Sequence, residues 1–520
     1  MHFTVEEQAK KIERRRSRDP GWLYVGLGVL TFIVFSPLLG SQFLAYGDPS
    51  YVTNNAHVQG GLNASNIAWA FSTTDQGAWM PLTWISHMLD VSIFGLSSAG
   101  HHLTNILLHI ANTLLLFFVL NRMTGALWRC GIVAILFALH PVHVESVAWI
   151  AERKGLLGAF FVMLTFYAYA FYASKPDPAR YVLVIFPAAL ALMCGPGQVM
   201  LPLMLLILDF WPLRRTFMAA KRHKSKRRID RAARYQARSM PVLLAEKIPF
   251  AAMSLAVCAV TMRARFGSWM DSGHGAFGQR VDHALIAYLN YIWMFIFPHD
   301  LSVFYPSIAP SRAGAIAAGL VLFVVSWMVL SWARRKPYLF SGWFWFVATL
   351  LPMVGFVWIG DQEWADRYTY LPLIGLFIVI AWSSAELAKR YPILKGIASV
   401  IAIAPMVATC IQVKFWKDTH ALFEHAVDAD PGNYMAYTML GDLRQSQSEA
   451  EQAVQLYSSA LHCAPDDAHA ADIHLRLGRA FEREGKLAEA QNEYQAAHKL
   501  NPGANGFTPP SATAGQEKKI

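Results

Sequence analysis

Long, nearly charge-free apolar runs constrain this chain more than any other feature. Trp22–Ala45 comes first, and Leu103–Leu120, Leu156–Ala173, Ala313–Trp332, Thr369–Leu387 and Leu394–Val413 follow. A helix needs about 20 apolar residues to cross a hydrocarbon core of about 30 Å, where backbone polar groups must be satisfied internally. Composition agrees: 55% of the 520 residues are hydrophobic and 15% are charged, against about 25% charged in an ordinary soluble domain. The chain reads as an all-α, polytopic membrane protein. Trp22–Ala45 is too long for a signal-peptide core and lacks a small-residue cleavage site, so no cleavable signal is expected.

The net charge of +10 is concentrated in two places, with six Lys/Arg in Lys10–Arg18 and eleven in Arg214–Arg238. Both clusters adjoin apolar runs, as in cytoplasmic segments under the positive-inside rule. Contact with anionic membrane lipid is a secondary role for them. No nucleic-acid motif accompanies the charge, so nucleic acid is not an expected partner. The Cys residues at 130, 194, 258, 410 and 463 have neither a disulfide-framework nor a zinc-ligand spacing and read as small buried side chains.

Residues 1–21 form the basic N-terminus, assigned to the cytoplasm, and residues 22–414 the membrane domain, with eleven expected crossings. Within it, 46–102 is the first external loop and 214–247 the basic cytoplasmic loop. In that external loop, Thr83, Ser86, His87 and Asp90 fall at i, i+3, i+4 and i+7 and share one helix face. This helix is expected to lie in the interface, with Trp79 and Trp84 at headgroup level. Residues 283–297 read as interfacial or re-entrant, because a full crossing would place Arg334, Arg335 and Lys336 outside.

After Lys414 the composition becomes that of soluble helix. Pro431, Pro465 and Pro502 are 34 and 37 residues apart, with Leu440-Gly441 and Leu477-Gly478, then Tyr457-x-x-Ala460 and Tyr494-x-x-Ala497, at corresponding places. This is tetratricopeptide spacing over residues 415–502. About two repeats plus a partial helix at Thr419–Ala429 make a short array, expected to lean on the membrane domain or a partner. Residues 503–520 read as a disordered polar tail.

The chemistry-bearing residues fall on the external side of this topology. Burying a charge inside a membrane helix costs ~2.5–3.5 kcal/mol on insertion scales, so their concentration on one side points to a single outward-opening site. Asp48 is a carboxylate at the mouth of the first span and reads as a base. Arg153 and Lys154 are either phosphate-binding cations or side chains snorkelling to headgroups. His140 and His143 line the site or cap helix ends. Arg367 can fork onto a phosphate with Asp366 holding it, or the two close a loop. His140-x-x-His143 with Glu145 leaves a divalent metal open, but spacing fixes no third ligand, so no metal ligand or other cofactor is assigned.

Several stretches together resemble a known family. They are Tyr46-x-Asp48-x-x-Tyr51-Val52, Pro81-Leu-Thr-Trp-Ile-Ser-His87, His102-x-x-Asn105-x-x-x-His109, His140-Pro-Val-His-Val-Glu145-Ser, Ala151-Glu-Arg-Lys154 and Ala365-Asp-Arg-Tyr-Thr-Tyr-Leu-Pro372. They are similar to bacterial relatives of the transmembrane and tetratricopeptide-repeat (TMTC) O-mannosyltransferases, over nearly the whole membrane region and into the repeats. The resemblance implies a GT-C-type glycosyltransferase in the bacterial inner membrane. It would transfer a sugar, with inversion, from a polyprenyl-phosphate carrier to a hydroxyl acceptor, protein Ser/Thr, outside the cytoplasm.

The resemblance also puts the catalytic base at Asp48. The leaving phosphate needs cations more than a general acid, and the acceptor hydroxyl needs a carboxylate on the opposite face of the sugar. Arg153, Lys154 and Arg367 would contact the carrier phosphate. His102, His140, His143, Glu145, Asp366 and Tyr368 would line the substrate site, and the repeats would hold a protein acceptor or partner. Two departures stand out. Gly47 precedes Asp48 where the family usually carries an acidic pair, and Gly195-Pro196 stands where relatives often carry Lys-Pro. They lend weight to a non-catalytic scaffold for envelope assembly. A lipid-carrier transporter is the other alternative, and no inverted repeat among the helices supports it.

Overall fold

The computed structural model describes residues 21–216, 235–271, 277–306, 311–354, 362, 364–391 and 394–501. The basic N-terminus, most of the 214–247 loop, Asp361 and the 503–520 tail therefore lie outside the described residues. Among those described, regular structure is helical, with two isolated bridges, Thr216 to Arg238 and Pro306 to Gln362.

The helices that frame the molecule are α1 (Gly21–Phe35), α2 (Pro81–Phe94), α3 (Ser98–Thr124), α4 (Leu127–Leu139), α5 (Arg153–Ser174), α6 (Pro178–Leu192), α7 (Leu201–Phe210), α8 (Ile248–Asp271), α9 (Phe277–Ile296), α10 (Arg312–Trp332), α11 (Pro337–Leu350), α12 (Leu373–Arg390) and α13 (Leu394–Phe415). Local chemistry sets several of their ends. Pro81, Pro178 and Pro337 open α2, α6 and α11, where the missing N–H costs nothing. Gly125, at φ 69°, closes α3 in the left-handed conformation that terminates helices.

Five described stretches are long and apolar enough to cross hydrocarbon unaided: Gly21–Gly40, Ser98–Thr124, Ile150–Ser174, Met240–Arg265 and Arg312–Trp332. A sixth arises if α4 and Pro141–Ala148, bent by 54°, count as one broken span. Shorter apolar helices, Pro178–Leu192 and Pro196–Phe210, flank Gly195. Their outer faces are apolar: Val25 and Ile33 on α1, Phe186 on α6, and Leu320, Phe323 and Trp327 on α10 are exposed. An apolar belt of this extent fits lipid and not water.

Three expectations change in detail. The polar face of α2 is real, but it turns inward: Thr83, His87 and Asp90 are buried, and Thr83 Oγ1 donates to the Cys194 carbonyl at 2.8 Å. Trp84 is fully buried against Tyr51 and Trp69 and does not sit at headgroup level. Residues 283–296 lie in α9, an unbroken helix of 20 residues, which matches the interfacial alternative and not the re-entrant one. In the basic 214–247 stretch, Arg215 is buried with Lys247. Arg215 pairs with Asp209 at 3.0 Å and Glu246 at 2.8 Å, and Lys247 with Asp209 at 2.7 Å. Tyr169 donates to Asp209 within the same cluster. The clasp matches two cations to two carboxylates, the condition under which buried charges are tolerated.

Beyond α13 five helices follow: α14 (Thr419–Ala429), α15 (Tyr434–Ser446), α16 (Ala450–His462), α17 (Asp467–Arg483) and α18 (Leu487–Leu500). The Tyr457 ring lies against Gly441 and the Tyr494 ring against Gly478, where a Cβ would meet ring carbon at 2.5 Å in both cases. The array leans on the apolar bundle as expected. Asn433 donates to the Phe304 carbonyl at 2.9 Å, and the Ala45 N–H donates to Thr419 Oγ1 at 2.9 Å.

Helices α11 and α12 approach each other closely at two facing glycines. A Cβ on Gly342 would run into the Gly375 carbonyl, and one on Gly375 into the Gly342 carbonyl. Gly375→Ala should therefore lower stability by about 1–3 kcal/mol through overpacking. Gly131→Ala, with open space around it, should be neutral or mildly stabilising. Thermal unfolding of the detergent-purified protein reads both.

Candidate active site

A cavity of about 330 Å³ opens where four parts of the chain meet, within the ~300–1,000 Å³ of ligand sites. The loop after α1 supplies Tyr46, Gly47 and Tyr51, and the start of α5 supplies Glu152, Lys154 and Gly155. The α6–α7 bend supplies Gly195–Gln198. The short helix Asp366–Thr369 supplies Arg367 and Tyr368, with Tyr370 and Leu371 just beyond it. Arg265 of α8 reaches the wall while donating to the Gly77 carbonyl at 3.0 Å.

Charge in the wall is organised around Arg367. Its Nη1 lies 2.5 Å from Glu145 Oε1, and its backbone N–H donates to Glu145 Oε2 at 2.7 Å. Nη2 donates to Gln362 Oε1 at 2.9 Å, and Nε lies 3.3 Å from Glu152 Oε1. The guanidinium sits over the rings of Trp149 and Tyr368, 5.1 and 4.8 Å from their centroids. Glu152 Oε1 also takes Lys154 Nζ at 2.7 Å, and that ammonium lies 5.1 Å above the Tyr51 ring. Lys154 and Gly155 occupy the first turn of α5, whose dipole adds positive potential there. Lys154 and Arg367, tied to Glu152 and Glu145, with Arg265 in the wall and aromatic rings around them, line a cavity whose chemistry suits an anionic ligand with an apolar or sugar-like body.

Asp48 stands one layer behind this wall and is fully buried. Its Oδ1 accepts from the Ala151 N–H at 3.0 Å and its Oδ2 from the Leu44 N–H at 2.9 Å. Burial pushes its carboxyl up to about 7, against the lowering effect of those N–H groups. Ala151, which holds one of its oxygens, lines the cavity, as does Gly47, while Asp48 itself does not. A side chain at 47, where φ is +80°, would strike the Trp149 ring.

Of the residues expected to contact substrate, Lys154, Arg367 and Tyr368 line the cavity. The others do not. Arg153 is turned away: Nη2 lies 2.7 Å from Asp90 Oδ2 and donates to the His101 carbonyl at 2.9 Å, while Nη1 donates to Ser86 at 3.0 Å. It ties α2, α3 and α5 together and is not a phosphate contact here. Glu145 is spent on Arg367. Asp366 is buried and accepts from the Tyr305 hydroxyl at 2.8 Å, with burial pushing its carboxyl well above the usual range. His143 Nδ1 donates to the Phe137 carbonyl at 2.8 Å, and His140 Nε2 donates to Phe295 at 3.1 Å; both lie among Phe137, Phe295 and Phe377. His102 is buried within α3.

Sequence reasoning did not single out Glu152, Arg265 or Gln198. Glu152 stood inside the quoted Ala151–Lys154 motif. Arg265 gives no signal, falling just past an apolar run. Among the described residues, one trio has donor atoms close enough together to hold an ion: His87, Asp90 and His101, within 4.8 Å of one another. Arg153 already lies on the same carboxylate, which makes the trio an Arg–Asp pair flanked by imidazoles and a poor home for a second cation.

Among the described residues, the helical build, the membrane-length apolar helices and a cavity lined by Lys154, Arg265 and Arg367 define a membrane protein with a cationic cavity. No protein-family model matches the chain. It is similar to the protein O-mannosyl-transferase Tmtc2 of Drosophila melanogaster, 34% identical over 148 residues, which cover 27% of this chain and 16% of that protein. It is also similar to Tmtc1 of the same organism, 29% identical over 178 residues covering 32% and 20%. With TMTC4 of Mus musculus the similarity is 23% over 498 residues, covering 84% of this chain and 66% of the relative. The chain is thus a low-identity homologue of the TMTC O-mannosyl-transferases. It spans about a sixth to a quarter of the length of the first curated relatives it matches.

The Arg367–Glu145 pair is what fixes the guanidinium at the cavity. Glu145→Gln should lower stability by roughly 1.5–3 kcal/mol, the worth of buried hydrogen bonds to a charged group. An unchanged unfolding temperature would show that Glu145 does not hold Arg367.

Proposed function

We propose that the chain is a membrane glycosyltransferase of GT-C type. It moves a sugar, mannose by analogy with its relatives' names, from a polyprenyl-phosphate donor to a protein Ser/Thr hydroxyl, with inversion. The observation that carries this reading is the Lys154–Glu152–Arg367 chain of charges in an aromatic cavity. Lys154 and Arg367 hold the carrier phosphate and offset the charge that builds as it leaves. The rings of Tyr46, Tyr51, Trp149 and Tyr368 form the walls for sugar and prenyl chain.

Asp48 is the proposed base. Each of its oxygens accepts one N–H and keeps a second lone pair for an acceptor hydroxyl. A carboxyl held near 7 is well matched to taking a proton at neutral pH. Substrate must reach it past Gly47 and the Trp149 ring packed against that glycine. The site faces outside the cytoplasm of a bacterial inner membrane, with the N-terminus inside and eleven crossings. Helices α14–α18 form a tetratricopeptide array that presents the protein acceptor. A non-catalytic scaffold is the second reading, favoured by glycine at the cavity-facing position 47.

Reconstituted protein given polyprenyl-phosphate mannose and a Ser/Thr peptide separates the two readings. Transfer should fall about 100-fold in Lys154→Met and in Arg367→Met, with the fold retained by thermal melt. A wild-type protein that turns over no polyprenyl-linked sugar would leave the scaffold standing. Because the base must be ionised, log kcat should climb with pH below about 7 and flatten above it. Asp48→Asn should abolish that step along with transfer.

A further inference from the structure

Glu152 is the one acidic side chain among the described residues of the cavity wall, and the proposed chemistry leaves it without a part. It occupies the N-cap position of α5 and makes no side-chain cap hydrogen bond. Its Oε1 goes instead to Lys154 Nζ at 2.7 Å and Arg367 Nε at 3.3 Å. Those are the two cations a phosphate would use. A carboxylate and a phosphate present similar paired oxygens to such donors, so the two cannot be fully served at once.

We propose that Glu152 is an internal occupant of the donor-phosphate subsite. It holds Lys154 and Arg367 at working distance in the empty cavity, gives way to the donor, and returns to drive out the product. This rests on Lys154 and Arg367 being the donor-phosphate site. The charge balance explains why such a device is needed. The donor is a phosphodiester with one negative charge. When the bond from the anomeric carbon to the phosphate oxygen breaks, its electron pair stays on that oxygen. The acceptor oxygen bonds to the carbon, and the acceptor proton goes to the base. The product is a phosphate monoester with nearly twice the charge of the donor, held by the same cations and slow to leave. Glu152 competes most strongly against that product and shortens its stay, in a class of step that often limits turnover. It lies on the leaving-group side, so it is a positioning residue and not the base of an in-line displacement.

The test uses the full-length protein in detergent, with farnesyl phosphate as a short-chain probe, and compares wild type with Glu152→Gln, Glu152→Asp and Lys154→Met. Glutamine keeps an acceptor on Lys154 without the charge. E152Q should bind the probe about tenfold more tightly. Both kcat and the KM for donor should fall as product lingers, and inhibition by farnesyl phosphate should be stronger. E152D, which keeps the charge on a shorter arm, should lie between E152Q and wild type, so the inference stays open to test even if the glutamine variant does not fold. Probe binding that is lost in Lys154→Met but not tightened in E152Q or E152D overturns this inference alone. A fall in kcat with KM and probe affinity unchanged overturns it in favour of a role for Glu152 in the bond-breaking step. No binding of the probe by wild type overturns the donor-phosphate site itself, and this inference with it.

Discussion

The structure around the cavity depends on one guanidinium. Arg367 is held from one side by Glu145, from another by Glu152 and Gln362, and by two aromatic rings. A buried cation is stable only when its lost hydration is replaced by close, well-aligned partners, and here those partners come from chain segments more than 200 residues apart. The same contacts bring the short helix at Asp366–Thr369 onto the start of α5. Without them the cavity would have no common wall. A group so fully paired has little freedom to move, which is what a site that stabilises developing charge requires, since reorganisation then costs little at the moment of reaction.

Arg153 and Lys154 show how differently neighbouring residues fare. Successive helix positions are turned by about 100°, so the first two residues of α5 cannot share a destination. Arg153 points into the bundle, where Asp90, Ser86 and the His101 carbonyl receive it, and Lys154 points into the cavity. One is a rivet between helices and the other lines the cavity. Nothing in their types separates them.

That contrast marks what could be read from the amino acids and what could not. The helical class, the apolar spans and the Gly–Tyr spacing of the array depend on local periodicity, and each was legible. So was the shared face of Thr83, Ser86, His87 and Asp90. The direction that face turns is decided by Arg153, 63 residues after Asp90, and no local pattern encodes it. His140 and His143 read as site residues from their density of polar neighbours, but a break between helices is also where carbonyls need donors, and Phe137 and Phe295 took them. Glu152 stood in the same dense polar stretch, and no local pattern shows that it bridges Lys154 and Arg367.

The loop between α1 and α2 is fastened at both ends of a short stretch. Gln42 donates to the Lys417 carbonyl at 2.8 Å, Ala45 to Thr419, and Tyr46 meets Phe423 edge-on. Six residues along from Gln42, Asp48 grips Ala151 beside the cavity. None of the residues lining the cavity comes from the C-terminal array, but that array clamps the strip of backbone from which Tyr46 and Gly47 project. A load on the array therefore has a route of about half a dozen peptide units to the pocket rim. The terminal helices and the pocket rim thus share one short strip of backbone as their common anchor.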